Sequence, residues 1–255
     1  MAHWAVFLDD GGVMNDSRLR GPQWRRLVAE FFAPRLGGAP EAWAEANSAF
    51  MDALLEPNAW RERLQSARDY QHFDRAYQLD WLKGMCALVG VEAPTDDECY
   101  ELALQAAALI TRQVRSAFPG VIEAIRALHQ RGYPLHTASG EPSTDLAGYL
   151  EAMGVRDCFQ RLYGPDLINT FKNGPDYYER LFADAGVDPG ETLVLDDSPQ
   201  AAAWARRAGA HAILVGQASA GQDGVAHHIA SLAELPAIIQ DIEDHPLNIS
   251  SSDAS

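Results

Sequence analysis

The sequence predicts an α/β fold: a Rossmann-like, doubly wound parallel sheet with an inserted all-helical domain. Three observations carry this. Ala5, Val6, Phe7 and Leu8 form an unbroken apolar run that ends on Asp9 and the glycine pair Gly11-Gly12, as a buried parallel strand running into a turn does. Residues 17 to about 114 carry helical periodicity and almost no strand signal. From Phe118 onward, short apolar runs alternate with helical stretches, the rhythm of a parallel sheet. The expected organisation is a core made of residues 1–16 and 115–244, a helical domain over 17–114 and a disordered tail over 245–255.

Within the helical block, Trp24, Leu27, Val28 and Phe31 share a helix face, with Pro22 suited to the first turn. Pro40 opens a second helix through Trp43, Ala46, Phe50 and Leu54. A third runs from Tyr70 to Leu88, and Pro94, Thr95 and Asp96 cap a fourth over Asp97 to Ser116. Trp24, Trp43, Trp60 and Trp81 read as core aromatics rather than cofactor contacts. In the α/β part, helices are expected from Pro119 to Gln130, Ser143 to Met153, Pro175 to Ala185, Pro199 to Ala208 and Ser231 to Asp241. Strands are expected over Pro134–Ala138, Phe159–Tyr163, Thr192–Leu195 and His211–Val215.

Composition narrows the function. A formal net charge of −16 over 255 residues argues against a nucleic-acid backbone or an anionic membrane as partner. No apolar run approaches the roughly 20 residues that span a bilayer, and no signal peptide is visible. Cys86, Cys99 and Cys158 are unpatterned and read as thiols in a reducing compartment, which points to the cytoplasm. The Asn-Ile-Ser sequon at Asn248 is then unused. Nothing in the sequence sets the oligomeric state.

The chemistry-bearing residues fall at strand ends. Asp9 follows the first strand, Thr137 and Ser139 end the strand of Leu135 and His136, Lys172 precedes the helix at Pro175, and Asp196 and Asp197 close the Thr192–Leu195 strand. In a parallel sheet these ends converge on one edge. Three clustered carboxylates repel unless a cation joins them. A hard divalent ion with oxygen ligands meets that need, and Mg²⁺ is the one that accompanies phosphates. Lys172 can hold a phosphate oxygen and restrain Asp9, while a Thr137 or Ser139 hydroxyl and nearby N–H groups, Gly140 among them, hold another. Asp9 is then a candidate nucleophile forming an aspartyl-phosphate. Each residue also has a structural reading: strand residue, turn, surface lysine, helix cap. Their joint order at successive strand ends decides between the two.

That order resembles the haloacid dehalogenase superfamily of hydrolases over essentially the whole chain to about residue 243. Its first motif, a strand followed by Asp, any residue, Asp, Gly and Thr or Val, falls on Asp9, Asp10, Gly11, Gly12 and Val13. Its Ser or Thr motif falls on Thr137 or Ser139 in the run HTASG. Its lysine falls on Lys172 in FKNGPDYYERL, similar to the family's Lys-Pro form with two residues inserted. Its acidic pair falls on Asp196 and Asp197. Phe118, Pro119 and Gly120 match the return from a helical cap placed between the first and second motifs. The resemblance implies a hydrolase with Asp9 as nucleophile, Lys172 beside it, Mg²⁺ held by Asp9, the Gly11 carbonyl, Asp196 and Asp197, and a small phosphorylated substrate selected by the cap.

One position departs from the family pattern. Its phosphatases carry a second Asp, two residues after the nucleophile, that protonates the leaving oxygen; here that position is Gly11. Asp10 does not substitute, because alternate side chains of an extended chain point to opposite sides. Three readings follow. One is a Mg²⁺-dependent phosphatase weakened at Gly11. Another is a dehalogenase- or phosphonatase-like hydrolase, since those members also lack the second Asp; the phosphonatase route needs a cap lysine, and Lys83 is the only lysine of the helical block. The third is a catalytically weak binding or regulatory protein of the same fold.

Overall fold

The computed structural model describes residues 4–54, 56–216 and 227–244. The expected disordered tail, 245–255, lies outside them. The described residues contain one six-stranded sheet, ordered β3-β2-β1-β4-β5-β6 and parallel throughout. β1 is Ala5–Leu8, β2 Leu135–Ala138, β3 Phe159–Tyr163, β4 Thr192–Asp196, β5 His211–Val215 and β6 His227–Ile229. The chain moves outward from β1 through β2 to β3, then returns to the far side of β1 for β4. The seam between β1 and β4 is therefore where the winding reverses, the place at which open α/β sheets form a crevice.

The apolar run of β1 works on both faces. Val6 and Leu8 join Leu193 and Leu195 of β4 in a core with α6 (Val121–Gln130), α7 (Ser143–Met153) and α11 (Leu235–Asp244). Ala5 and Phe7 join Val194 in the opposite core, under α9 (Pro175–Ala185) and α10 (Pro199–Arg207). A strand covered on both faces has no position for a polar residue, which is why it reads as continuous apolar sequence.

Between β1 and α6 lie α1 (Ser17–Leu36), α2 (Pro40–Leu54), α3 (Pro57–Ser66), α4 (Tyr70–Val89) and α5 (Asp96–Thr111). They bury a core of their own, in which Phe32 stacks on Trp43 at 5.2 Å and Trp81 donates to Asn47 Oδ1 at 2.9 Å. α5 starts on a full capping box between Thr95 and Glu98. It also seats the block on the core: a Cβ on Gly148 of α7 would lie 2.0 Å from Thr111 Oγ1, so only glycine lets the two helices meet this closely. The two crossings to the core are hydrogen-bonded to each other, Asp16 N to Ser116 O at 2.7 Å and Phe118 N to Met14 O at 3.1 Å.

Some boundaries differ from expectation. α1 begins at Ser17, because the Asp16 carboxylate caps it by accepting from Arg18 N. Pro22 thus sits inside the helix rather than in its first turn. α5 stops at Thr111 instead of Ser116; the following residues turn to meet α1 and the first crossing, Arg115 N donating to Gln23 Oε1 at 2.8 Å and Ser116 O accepting from Asp16 N at 2.7 Å. The helices α3 and α8 (Pro165–Ile168) and the strand β6 had no sequence signal; α3 buries no residue, and the other two are one turn and three residues long.

His136 on β2 is 4% exposed, stacked on Phe7 at 4.7 Å, with its Nδ1 unpartnered. Burial, and then the Arg161 charge, push it from the ordinary 6.5 down to about 4. The unfolded chain therefore binds a proton between those values that the folded chain refuses, and stability falls as pH drops through this window. At about 1.4 kcal/mol per pH unit, the loss is about 3 kcal/mol. His136→Phe keeps the stack and removes the proton site. Urea unfolding from pH 7 to pH 4 should show an acid loss smaller by that amount in the variant than in the parent.

Candidate active site

The end of β1 and the end of β4 lie side by side: Leu8 pairs with Leu195, and Asp9 N donates to Leu195 O at 3.0 Å. Asp9 and Asp196 therefore leave the sheet together. The loop before α9 brings Lys172 between them, Nζ lying 2.8 Å from Asp9 Oδ1 and 2.7 Å from Asp196 Oδ2. Asp196 is fixed further by the Tyr178 hydroxyl at 3.2 Å and by Ser198 N at 2.9 Å. Burial, opposed by Lys172 and reinforced by the Asp196 charge, raises Asp9 to about 7. Burial pulls the Lys172 ammonium down, but the two carboxylates more than reverse this and hold it above the ordinary lysine range. Lys172 stays charged at neutral pH.

Asp197 is exposed beside this trio, and one oxygen each of Asp9, Asp196 and Asp197 lie within 4.8 Å of one another. Burial and then the Asp196 charge raise Asp197. Three hard oxygen donors with incomplete charge compensation suit a Mg²⁺-type ion. The backbone is shaped for the same spot. Gly12 has φ 77°, and a Cβ there would lie 2.0 Å from Asp197 Oδ2, so Asp197 folds over a residue that can only be glycine. Gly11 is different. Its φ lies outside the left-handed region, and a Cβ there would come no closer than 3.9 Å to any neighbour, that neighbour being Ser17 Oγ. The position of the missing carboxylate is open space.

The two hydroxyl candidates separate. Thr137 is fully buried in β2 and its Oγ1 donates to Tyr163 O at 3.2 Å. Ser139, just past the strand, accepts from Glu141 N at 3.2 Å, and its own proton has no acceptor among the described residues. Gly140 follows at the lip of a cavity of about 660 Å³ between the helical block and the core.

Asp10, by contrast, belongs to a second network. Its buried carboxylate accepts from Asn15 Nδ2 at 2.7 Å and pairs with Arg20, which reaches Glu141 at 2.6 Å and lies over the Tyr149 ring at 4.2 Å. No sequence signal pointed to Arg20, because its partners lie 10 and 121 residues away. Trp43 and Trp81 lie in the core as expected and Trp24 packs against it, but Trp24, Trp60 and Trp81 also line the cavity. Core and cavity positions share one helical spacing, and the pattern alone does not separate them.

The model of the haloacid dehalogenase-like hydrolases matches residues 5–209, a span that holds all of these groups. The chain belongs to that family. Curated relatives of this hydrolase carry phosphatase names. Hexitol phosphatase B of Escherichia coli (strain K12) is 30% identical over 41% of this chain and 47% of its own length. Validoxylamine A 7'-phosphate phosphatase of Streptomyces hygroscopicus subsp. limoneus is 25% identical over 94% of each. The chain spans about half the length of the first curated relatives it matches. Among solved structures, the L-2-haloacid dehalogenase of Xanthobacter autotrophicus superposes with a TM-score of 0.60 at 16% identity, covering 93% of this chain and 98% of the other. The fold is thus shared by enzymes of both names, and the chemistry has to be argued from the site.

The two neighbouring glycines should respond oppositely to a methyl group. Gly12→Ala meets left-handed strain of about 1–2 kcal/mol in addition to the clash with Asp197. Gly11→Ala meets neither and should stay within about 0.5 kcal/mol of the parent. Urea unfolding of both variants tests this reading of the turn.

Proposed function

We propose that the protein is a Mg²⁺-dependent phosphatase of small phosphorylated metabolites in the cytoplasm, acting through Asp9 and weakened by Gly11. The supporting observation is the Asp9–Lys172–Asp196 arrangement with Asp197 within reach of the same point. Two relatives named for phosphorylated substrates, a hexitol phosphatase and a validoxylamine A 7'-phosphate phosphatase, favour the same class. In this reading residues 17–114 form a cap over a core of 1–16 and 115–244.

Asp9 attacks phosphorus, the ester P–O bond breaks, and the leaving oxygen departs with the bonding electron pair as an oxyanion that, in an alkyl ester, must take up a proton. Water then attacks the phosphorus of the aspartyl-phosphate, releasing phosphate and restoring the Asp9 carboxylate. Lys172 favours the ionised form of Asp9 and aims it, with the ammonium able to follow the phosphoryl oxygens. Ser139 and the Gly140 N–H hold further oxygens, and Thr137 supports them through its bond to β3. A Mg²⁺ ion held by Asp9, Asp196, Asp197 and the Gly11 carbonyl would neutralise phosphoryl charge when bound.

The proton for the leaving oxygen has no donor at Gly11. Asp16 is a poor substitute: the Arg18 hydrogen bond holds it below the usual carboxylate range, and it caps α1. Glu141 is raised by burial and lines the cavity, so it is the better-placed acid. A positioned acid contributes about 10²–10⁴-fold. Aryl and acyl phosphates, whose leaving groups need no proton, should therefore be the good substrates. Asp9→Asn should abolish turnover. Gly11→Asp, for which there is room, should raise alkyl-phosphatase kcat by 10-fold or more, roughly the lower part of that range. Brisk hydrolysis of alkyl phosphates by the parent would move the acid to Glu141.

Calorimetric titration should show Mg²⁺ binding that Asp197→Ala abolishes. Gly11 alone favours a second reading, dehalogenation, because a halide leaves without a proton. Absence of divalent-ion binding together with haloacid turnover would establish it. The phosphonatase reading finds no support: Lys83 pairs with Asp96 at the surface, away from the cavity.

A further inference from the structure

The cavity between the helical block and Gly140–Pro142 has an unusual lining. Aromatic rings, Trp24, Trp60, Phe73, Tyr77 and Trp81 among them, recur in its wall. Its charges do not balance. Two exposed lining residues, Asp52 and Arg25, carry opposite charges. Inside, Arg20 is already engaged by Asp10 and Glu141. That leaves Asp74 and Asp145 with no cationic partner among the described residues. Asp74 accepts only from the Tyr100 hydroxyl at 2.8 Å and from Gln78 Nε2 at 3.3 Å, and Asp145 accepts from nothing. A smaller adjoining cavity of about 440 Å³ shares Tyr70 and Asp74, adds Asp69 and Asp166, and has no Lys or Arg in its lining.

A second, independent observation comes from Gln78. It is 6% exposed, lines the same wall as Asp74 one helical turn away, and its buried Oε1 has no donor. A buried acceptor left unpaired by the protein is costly, and a ligand N–H would satisfy it. A chelated metal does not fit the same groups. Among the described residues, the three-carboxylate cluster close enough to hold one ion is that of Asp9, Asp196 and Asp197. Spread-out carboxylates, a buried amide oxygen and aromatic faces together suit an extended organic cation.

We propose that this cavity binds the leaving group of the substrate, and that this group carries a protonated amine beside an apolar ring or chain. Asp74 and Asp145 balance the ammonium, Gln78 Oε1 accepts one of its N–H groups, and the tryptophans cover the apolar part. The assignment of the occupant as a leaving group rests on the phosphatase reading; the preference for an ammonium does not. Asp145 is consistent with it: burial first, then the Glu141, Asp74 and Asp166 charges, push it up to about 8, and Arg20 opposes this only in part.

The test uses phosphate-free probes and no turnover. Trp24, Trp60 and Trp81 line the cavity, so intrinsic fluorescence reports occupancy. Cyclohexylamine, cyclohexanol and cyclohexanecarboxylate present one ring with a positive, neutral and negative substituent. The amine should give a saturable change with a Kd at least tenfold below that of the alcohol, and the carboxylate none. Asp145→Asn loses no hydrogen bond and should cut the preference several-fold with the fold intact; Asp74→Asn should do the same but forfeits the Tyr100 contact. Equal binding of amine and alcohol, tighter binding of the carboxylate, or no saturable change with any probe would overturn the proposal. Each of those results would leave the phosphatase reading standing. In the second arm, 4-(aminomethyl)phenyl phosphate should exceed 4-methylphenyl phosphate in kcat/KM; no turnover of either, with the amine still bound selectively, would count against the phosphatase reading instead.

Discussion

Asp9 and Asp196 leave the sheet side by side at the seam between β1 and β4, both largely out of water. Two carboxylates so placed would repel, and at least one would take up a proton. The Lys172 ammonium lies between them at 2.8 and 2.7 Å and makes the arrangement stable. The remaining site depends on it. With Lys172 in place, Asp9 can be ionised inside the protein, Asp196 can anchor Tyr178 and the start of α10, and Asp197 is left facing outward over Gly12. The loop that delivers Lys172 is itself tied to the helical block, since Phe171 packs on Phe73 of α4 at 5.0 Å. The same short segment thus joins the charge pair in the core to the wall of the cavity.

A parallel logic governs Asp10. Its carboxylate is fully buried and would be unfavourable alone; Asn15 and Arg20 satisfy it, and Arg20 passes the link on to Glu141 at the cavity. Two adjacent aspartates on one turn therefore serve opposite ends. One is set beside Lys172 and Asp196, the other binds α1 of the helical block to the core. Gly11 between these networks and Asp197 leaves an opening toward Ser17 where the phosphatases of this family carry their acid.

The sheet and the convergence at its edge were legible because parallel strands bring their carboxyl ends together whatever the intervening sequence. Asp9, Lys172 and Asp196 could be placed without knowing a single contact, and the chain's having just two lysines, Lys83 and Lys172, left little choice for the cation. Helices with strong end signals, such as α7 and α9 bounded by Pro and Gly, fell where expected. The start of α1 did not, because Asp16 looked like part of the strand-loop motif and Pro22 like a helix start. The Asp10–Arg20–Glu141 link was invisible, since charged residues far apart in sequence give no pairing signal. That Trp24, Trp60 and Trp81 also face a cavity was missed for a related reason: a helix face toward a cavity and one toward a core have the same period.

The decisive measurement is the identity of the covalent species. The parent enzyme, incubated with Mg²⁺ and acetyl phosphate, quenched in acid and mapped by mass spectrometry, should carry one phosphoryl group on the peptide containing Asp9. Its occupancy should fall in Gly11→Asp, where an acid–base residue is restored to hydrolyse it. Turnover of acetyl phosphate with no phosphoryl group on Asp9, or with the group on another residue, would contradict the account.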